Sequence, residues 1–290
     1  MTNTPSYILI TPARNEAQLI ELTLKSVTAQ TILPMKWVIV SDGSTDGTDE
    51  IVLKYTAINP WIELLRMPER KERHFAGKVL AFNAGYARVL DLAPDIIGNL
   101  DADVSIDPDH FESLLSKFHE EPGLGVWGAP FREGSHQYNY RFSNIENVWG
   151  GCQLFRRECF EEIGGYVPVK GGCIDHIAVV SARMKGWKTR TFTEKVCIHH
   201  RVMGTAQEGA LKARFKMGAK DYSVGNHPVW EFSRVVYQMT YPPLVVGGLA
   251  LAAGYICSLL RKADIPVSRD LVAFSRREQL QRLRNVFTRS

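Results

Sequence analysis

Cysteine is scarce and unpatterned. Cys152, Cys159, Cys173, Cys197 and Cys257 are the only five in 290 residues, and no two stand at C-x-x-C spacing. An odd count without that spacing excludes a disulfide framework, argues against a zinc site and fits a reducing, cytosolic environment. An excess of one charge is lacking too. The formal net charge of +4 is too small to carry nucleic-acid binding by itself. The first residues, MTNTPSYILITPARNE, hold no basic region followed by a long apolar stretch, so no signal peptide is expected. No internal repeat is visible. With 45% apolar and 23% charged residues, the composition excludes wholesale disorder, a collagen-like fibre and a polytopic membrane protein.

What is present is strand–helix alternation over residues 7 to 130. YILIT (Tyr7–Thr11), KWVIVS (Lys36–Ser41), Ile62–Leu65 and Ile96–Leu100 read as strands. Between them, Ile20, Leu24 and Val27, then Ile51, Tyr55 and Ile58, then Val79, Phe82, Tyr86 and Val89 recur at helical spacing. Such alternation predicts an α/β fold with a largely parallel sheet covered by helices on both faces. Ligands of such sheets bind beyond the carboxyl ends of the strands. The polar clusters Pro12–Glu16, Asp42–Asp46 and Asp101–Asp103 lie at those ends, so three strands are expected to converge on one site. Farther on, Asp175–Lys185 reads as a helix, and Lys188–Phe192 and Lys195–Ile198 read as strands.

The C-terminal part changes character. Between Arg234 and Arg261 lie 26 residues without a formal charge, including PPLVVGGLALAAGYICSLL, a run long enough to cross a bilayer. Pro242, Pro243, Gly247, Gly248 and Gly254 interrupt it, and a single span would put the basic tail on the side opposite a cytosolic domain. A re-entrant or membrane-surface element is therefore expected. From Arg261 to Ser290 there are eight Arg or Lys against three Asp or Glu, which suits an anionic membrane surface. Upstream, Lys212, Arg214, Lys216 and Lys220 accompany Leu211, Phe215 and Met217, as an interfacial amphipathic helix would.

The chemistry-bearing residues cluster at strand ends. Asp101-Ala102-Asp103 follows the apolar run IIGNL, and two carboxylates so placed can hold a hard divalent cation. Asp42 closes the second strand in VIVSDGSTDGT, where a carboxylate can accept a hydrogen bond from a nucleotide base. Asp46 and Ser44 read better as residues that order the turn. Arg14 and Glu16 follow the first strand, and Lys78, after Gly77 at a helix start, is placed to reach a diphosphate.

In order and spacing, TPARNE, VSDGSTDGT, GKVLAFNAG and NLDADV resemble the family 2 glycosyltransferases of the GT-A fold. GGCQLFRRECFEEIGGY resembles the acceptor-side segment of that family, and GGCIDHIAVVSARMKGW its E-D-x-x-L-x-x-R-x-x-x-x-G-W stretch. The resemblance covers about residues 6 to 205. It implies a GT-A catalytic domain over 1–205, with a nucleotide-sugar half to about 105 and an acceptor half after it. Residues 206–290 would be a helical, membrane-associated region with a basic tail.

The resemblance also implies site roles. Pro12, Ala13, Arg14 and Glu16 line the nucleoside pocket, and Asp42 reads the base. Lys78 approaches the diphosphate. Asp101 and Ala102 sit near the ribose and metal, with Asp103 the direct ligand of Mg²⁺ or Mn²⁺. His199 or His200 is a further metal contact, and Asp175 is the general base. The first acid of the family's pair is Ile174 here, and the downstream Arg position is Ser181. Trp149, Trp187, Tyr138 and Tyr140 are candidate platforms for acceptor sugar rings.

The expected reaction is inverting, metal-dependent transfer from a nucleoside-diphosphate sugar, a UDP-sugar before a GDP-sugar. The expected acceptor is a hydroxyl, on a lipid-linked saccharide or another glycan, at the cytoplasmic face of the inner membrane. A polyprenyl-phosphate acceptor and a non-catalytic nucleotide-sugar-binding membrane protein are the alternatives. A sugar-phosphate nucleotidyltransferase is disfavoured because TPARNE offers no glycine.

Overall fold

The computed structural model describes residues 4–69, 76–134, 136, 137, 144–169, 171–201 and 209–288. The chain divides into two compact units, one of residues 1–170 and 174–201, the other of 171–173 and 202–290.

In the first unit, β1 (Tyr7–Ala13), β2 (Lys36–Asp42), β3 (Ile62–Met67) and β4 (Ile96–Leu100) alternate with α1 (Ile20–Thr28), α2 (Thr48–Thr56) and α3 (Ala76–Ala87). Next come β5 (Val104–Ser105), α4 (His110–Glu120), β6 (Leu124–Gly128), β7 (Phe131–Glu133) and β8 (His136–Gln137). β9 (Cys152–Arg156), α5 (Arg157–Glu162), α6 (Ile174–Met184), β10 (Lys188–Thr191) and β11 (Cys197–His199) complete it. Seven strands form one sheet in the order β10-β6-β9-β4-β1-β2-β3, and β5, β11, β7 and β8 form a second, smaller sheet.

The large sheet is parallel except for β9, which runs antiparallel to both β4 and β6. Alternation along β1 and β2 explains its burial on both faces. Tyr7, Leu9, Trp37 and Ile39 enter one apolar cluster, and Ile8, Ile10, Val38 and Val40 enter the other. The expected mostly parallel, helix-flanked α/β sheet is the one found.

The second unit is helical: α7 (Ala210–Ser223), α8 (Pro228–Gln238), α9 (Val246–Leu260) and α10 (Arg269–Thr288). The apolar run does not form one long element. Its prolines precede α9, which has 15 residues, and no helix among the described residues is long and apolar enough to cross a membrane. Gly218 of α7 faces the Leu251 carbonyl, where a Cβ would lie 1.9 Å from the oxygen, and Gly254 of α9 faces the Phe215 carbonyl at the same 1.9 Å. The two helix backbones therefore touch where both lack side chains.

Residues 228–260 carry two charges, Glu231 and Arg234. Glu231 is buried, and Arg234 Nη1 reaches Asp221 Oδ1 at 2.5 Å. Burial, reinforced by the Asp221 carboxylate, pushes the Glu231 carboxyl up to about 7. A carboxyl raised in the fold favours the folded state fully below its unfolded value, and that contribution is lost as pH rises through the folded value. Thermal stability of this unit is expected to fall as pH rises from about 4.5 to about 7. Glu231→Gln should flatten that dependence in calorimetric melts, and an equally steep dependence in the variant would rule this origin out.

Candidate functional site

The three expected clusters meet at the carboxyl ends of β1, β2 and β4. Pro12 and the buried Ala13 end β1. Asn15 follows with a positive φ of 56°, its side-chain oxygen accepting from Thr45 N–H at 2.9 Å. Glu16 N–H donates to Thr48 Oγ1 at 2.8 Å. Asp46 accepts from Ala17 N–H at 3.0 Å and Thr48 N–H at 3.1 Å. Burial raises the Asp46 carboxyl, but the bonds from Thr48 and Ala17 outweigh it and hold it below its ordinary value. Asp46 and Ser44, which accepts from Asn15 N–H, are thus turn-ordering residues that join two strand ends. Asp42 is buried, with Arg14 Nη1 at 3.9 Å.

The loop after β4 separates its two carboxylates. Asp101 accepts from Lys78 Nζ and from Asn99 Nδ2 at 3.3 Å. Asn99 Nδ2 also donates to the Gly150 carbonyl at 2.6 Å. Ala102 is buried, its carbonyl accepting from Thr23 Oγ1 at 2.8 Å. Asp103 takes different partners: its Oδ2 lies 3.4 Å from His199 Nε2 and 3.2 Å from Arg201 Nε. Arg201 also pairs with Glu16, and His199 Nδ1 lies 2.7 Å from Glu133 Oε1.

Burial alone would raise Asp103, but the His199 contact, with Arg201 and Lys78, holds it below its ordinary value. Burial would lower His199, but Asp103 and Glu133 keep it above its ordinary value. A histidine whose far nitrogen is fixed by a carboxylate, with its near nitrogen beside a second carboxylate, is the donor arrangement a hard divalent cation takes. Asp103 and His199 therefore fit such an ion, and Asp101, engaged by Lys78, stands next to them on the same loop.

His200 is directed elsewhere. Its Nε2 pairs with Ser105 Oγ at 2.8 Å, its backbone N–H donates to the Asp103 carbonyl at 3.0 Å, and burial lowers its pKa.

Asp175 lies in the first turn of α6, against Gly150. A Cβ on Gly150 would come within 2.5 Å of the Asp175 Cβ, so glycine there permits the approach. The Gly150 carbonyl is also the one that Lys78 and Asn99 reach, which brings Asp175 to the Asp101 side of the site. Ile174, in the family's first acid position, is buried in the apolar cluster under the sheet and supplies no carboxylate.

Trp149 stacks on Phe131, centroids 4.4 Å apart, and meets His199 edge-on at 5.5 Å. It therefore borders the Asp103 group. Trp187 is not brought there. It immediately precedes β10, packs against Gly125 at the amino end of β6 and donates to Glu162 Oε2 at 2.8 Å. Its place at the opposite end of the parallel strands corrects the expectation of an acceptor platform. Tyr138 and Tyr140 lie outside the described residues.

Sequence reasoning missed Asn99, Glu133 and Arg201. The first and last adjoin motifs that were recognised, NLDAD and the His199-His200 pair. Glu133 stands in a three-residue strand with no pattern to mark it.

The chain is similar to several known proteins. A relative from Pasteurella multocida (strain Pm70), chondroitin synthase, is 29% identical over 120 residues, 41% of this chain and 12% of that protein. The poly-beta-1,6-N-acetyl-D-glucosamine synthase of Staphylococcus aureus (strain COL) is 32% identical over 117 residues, 40% of this chain and 26% of that protein. The chain thus spans about a quarter or less of the length of these curated relatives. Among solved structures, the mannosyltransferase PcManGT from Pyrobaculum calidifontis, in complex with GDP-Man and Mn²⁺, superposes with a TM-score of 0.58. It is 21% identical, with 94% of this chain and 74% of that one covered. Staphylococcus aureus TarS 1–349 in complex with UDP-GlcNAc gives a TM-score of 0.56 at 13% identity, covering 87% and 71%. Both likenesses show the fold, which is GT-A. The Glycosyl transferase family 2 model matches residues 8–168, more than half of the chain, and with the strand-end site described above this places the protein in glycosyl transferase family 2.

Proposed function

We propose that the protein transfers a sugar from a nucleoside-diphosphate sugar to a hydroxyl acceptor with inversion at the anomeric carbon. The observation that carries this reading is the Asp103–His199–Glu133 constellation beside the Lys78–Asp101 pair, all at the strand ends where a nucleotide binds an α/β sheet. Asp42, buried at the end of β2, accepts from the base, and Arg14 beside it holds the carboxylate in place. Asp103 and His199 would hold Mg²⁺ or Mn²⁺, which would supply positive charge at the diphosphate. Lys78 neutralises the charge that grows on the leaving oxygen. Asp175 takes the proton of the attacking hydroxyl.

A phosphate acceptor would need no base, so Asp175 beside the site favours a hydroxyl over a polyprenyl phosphate. Trp149, stacked on Phe131, offers a face for the acceptor ring. The structural neighbours were solved in complex with both a GDP-sugar and a UDP-sugar. The polymer synthases among the relatives support a saccharide acceptor.

The helical unit supports work at the cytoplasmic face of the inner membrane, on a lipid-linked saccharide. Phe232, Leu244 and Leu260 are 70%, 61% and 76% exposed, while the two charges of residues 228–260 engage one another or Asp221. The apolar outer residues are flanked by Lys212, Arg214 and Lys216 on one side and Arg261 and Lys262 on the other, which suits an anionic interface.

Release of nucleoside diphosphate from UDP- and GDP-sugars, measured with Mn²⁺ and a membrane lipid extract, tests the reaction. Asp175→Asn is expected to cut turnover by about 10²–10⁴-fold with nucleotide affinity unchanged. Full turnover in that variant would remove Asp175 as the base.

A further inference from the structure

His110, Cys152 and Cys197 come together in the interior of the first unit, far apart in sequence and on three different elements. His110 opens α4, Cys152 opens β9 and Cys197 opens β11. All three are fully buried, and none of the thiols is in a disulfide. The imidazole Nε2 lies 3.6 Å from Cys197 Sγ and 3.9 Å from Cys152 Sγ, and one ligand atom from each residue falls within 4.8 Å of the others. A tetrahedral zinc ion with Zn–S near 2.3 Å and Zn–N near 2.0–2.1 Å separates sulfur from nitrogen by about 3.6 Å, so both sulfurs stand close to coordination spacing from the nitrogen. The other imidazole nitrogen, Nδ1, is buried with no hydrogen-bond partner. The ring turns its Nε2 toward the two sulfurs. The spacing along the chain, which argued against a zinc site, could not show a site assembled from separate strands.

We propose that His110, Cys152 and Cys197 bind one thiophilic d¹⁰ cation, Zn²⁺ or Cu⁺, separately from the Asp103 site. Two thiolates and one imidazole are the soft donor set that selects these ions over Mg²⁺ and Mn²⁺. Binding releases the thiol protons to solvent and forms two metal–sulfur bonds and one metal–nitrogen bond, with no oxidation. The cation fastens the frame of the donor site. Cys152 pairs with Leu100, directly before Asp101. Cys197 stands two residues before His199, which pairs with Val104, directly after Asp103. The Asp101 N–H also donates to the Gly151 carbonyl, directly before Cys152.

The test is elemental analysis of full-length protein purified without chelator, together with reconstitution by Co²⁺. The expected result is one zinc or copper per chain, the element identifying which, retained in Asp103→Asn and in Cys159→Ser and lost in Cys197→Ser. Because Cys197→Ser puts a hydroxyl at a fully buried position and so perturbs folding as well, the wild-type protein gives the deciding readout. Co²⁺ should produce a sulfur-to-cobalt charge-transfer band in the near ultraviolet that persists in Asp103→Asn. Wild-type protein that holds neither zinc nor copper and shows no such band would overturn the proposal, as would a Cys152–Cys197 disulfide in the purified chain.

Discussion

Asp103→Asn is expected to lower sugar transfer by about 10³-fold or more, the scale of losing a preorganised charge contact at a developing oxyanion. The substitution keeps the shape of the side chain and removes its charge. In the wild-type protein that charge faces His199 at 3.4 Å and Arg201 at 3.2 Å, and together with Glu133 it keeps His199, burial notwithstanding, above its ordinary pKa. Asparagine therefore leaves the imidazole and guanidinium beside a neutral amide and takes away the anionic ligand of the proposed cation. The loss should appear in kcat at saturating Mn²⁺, with the far-ultraviolet dichroism of the fold intact, and the His199 titration, followed by NMR, should move down. Wild-type turnover in Asp103→Asn would mean that the reaction does not use this carboxylate.

Gly254→Ala is expected to destabilise the helical unit by about 3 kcal/mol or more, the upper end of overpacking costs. The added methyl would lie 1.9 Å from the Phe215 carbonyl oxygen and 2.8 Å from its carbon. Backbone cannot rotate away as a side-chain end can, so α7 and α9 must separate. Gly218→Ala meets the Leu251 carbonyl in the same manner. A loss of that size corresponds to a fall of about 10 °C or more in the thermal midpoint of this unit. Gly247→Ala is the control in the same helix, because its methyl would meet Pro243 at an ordinary 3.4 Å. There, the better helix propensity of alanine should leave stability unchanged or slightly raised. Equal melting of the two alanine variants would show that α7 and α9 do not pack through their glycines.

The parts of the fold that were legible in the sequence are those dictated by local chemistry. β1, β2 and β4 are continuous apolar runs because both sheet faces are covered, and each ends in a polar turn, so Asp42, Asp101 and Asp103 could be placed at strand ends. The insertion of β9 antiparallel between β4 and β6 was not legible, since strand order depends on packing between distant segments. Arg201 was missed for a similar reason. It engages Glu16 and Asp103 across long sequence separations, and nothing local distinguishes it from a surface arginine. Trp187 was named for its aromatic ring, which by itself does not say where the ring lies. It immediately precedes β10 and packs against Gly125 at the amino end of β6, away from the site. The apolar C-terminal run and its interruption at Pro242 and Pro243 were legible as well, but not that Gly247, Gly248 and Gly254 stay inside one 15-residue helix, where Gly254 lets α7 come close.

Nucleotide binding is the most direct test of the site. Wild-type protein titrated calorimetrically with UDP, GDP, dTDP and CDP, with and without Mn²⁺, should bind one of them with an affinity that depends on the metal, and Asp103→Ala should lose that dependence. Absence of binding by every nucleotide, with Mn²⁺ and lipid present, would contradict a nucleotide-sugar site at the ends of β1, β2 and β4.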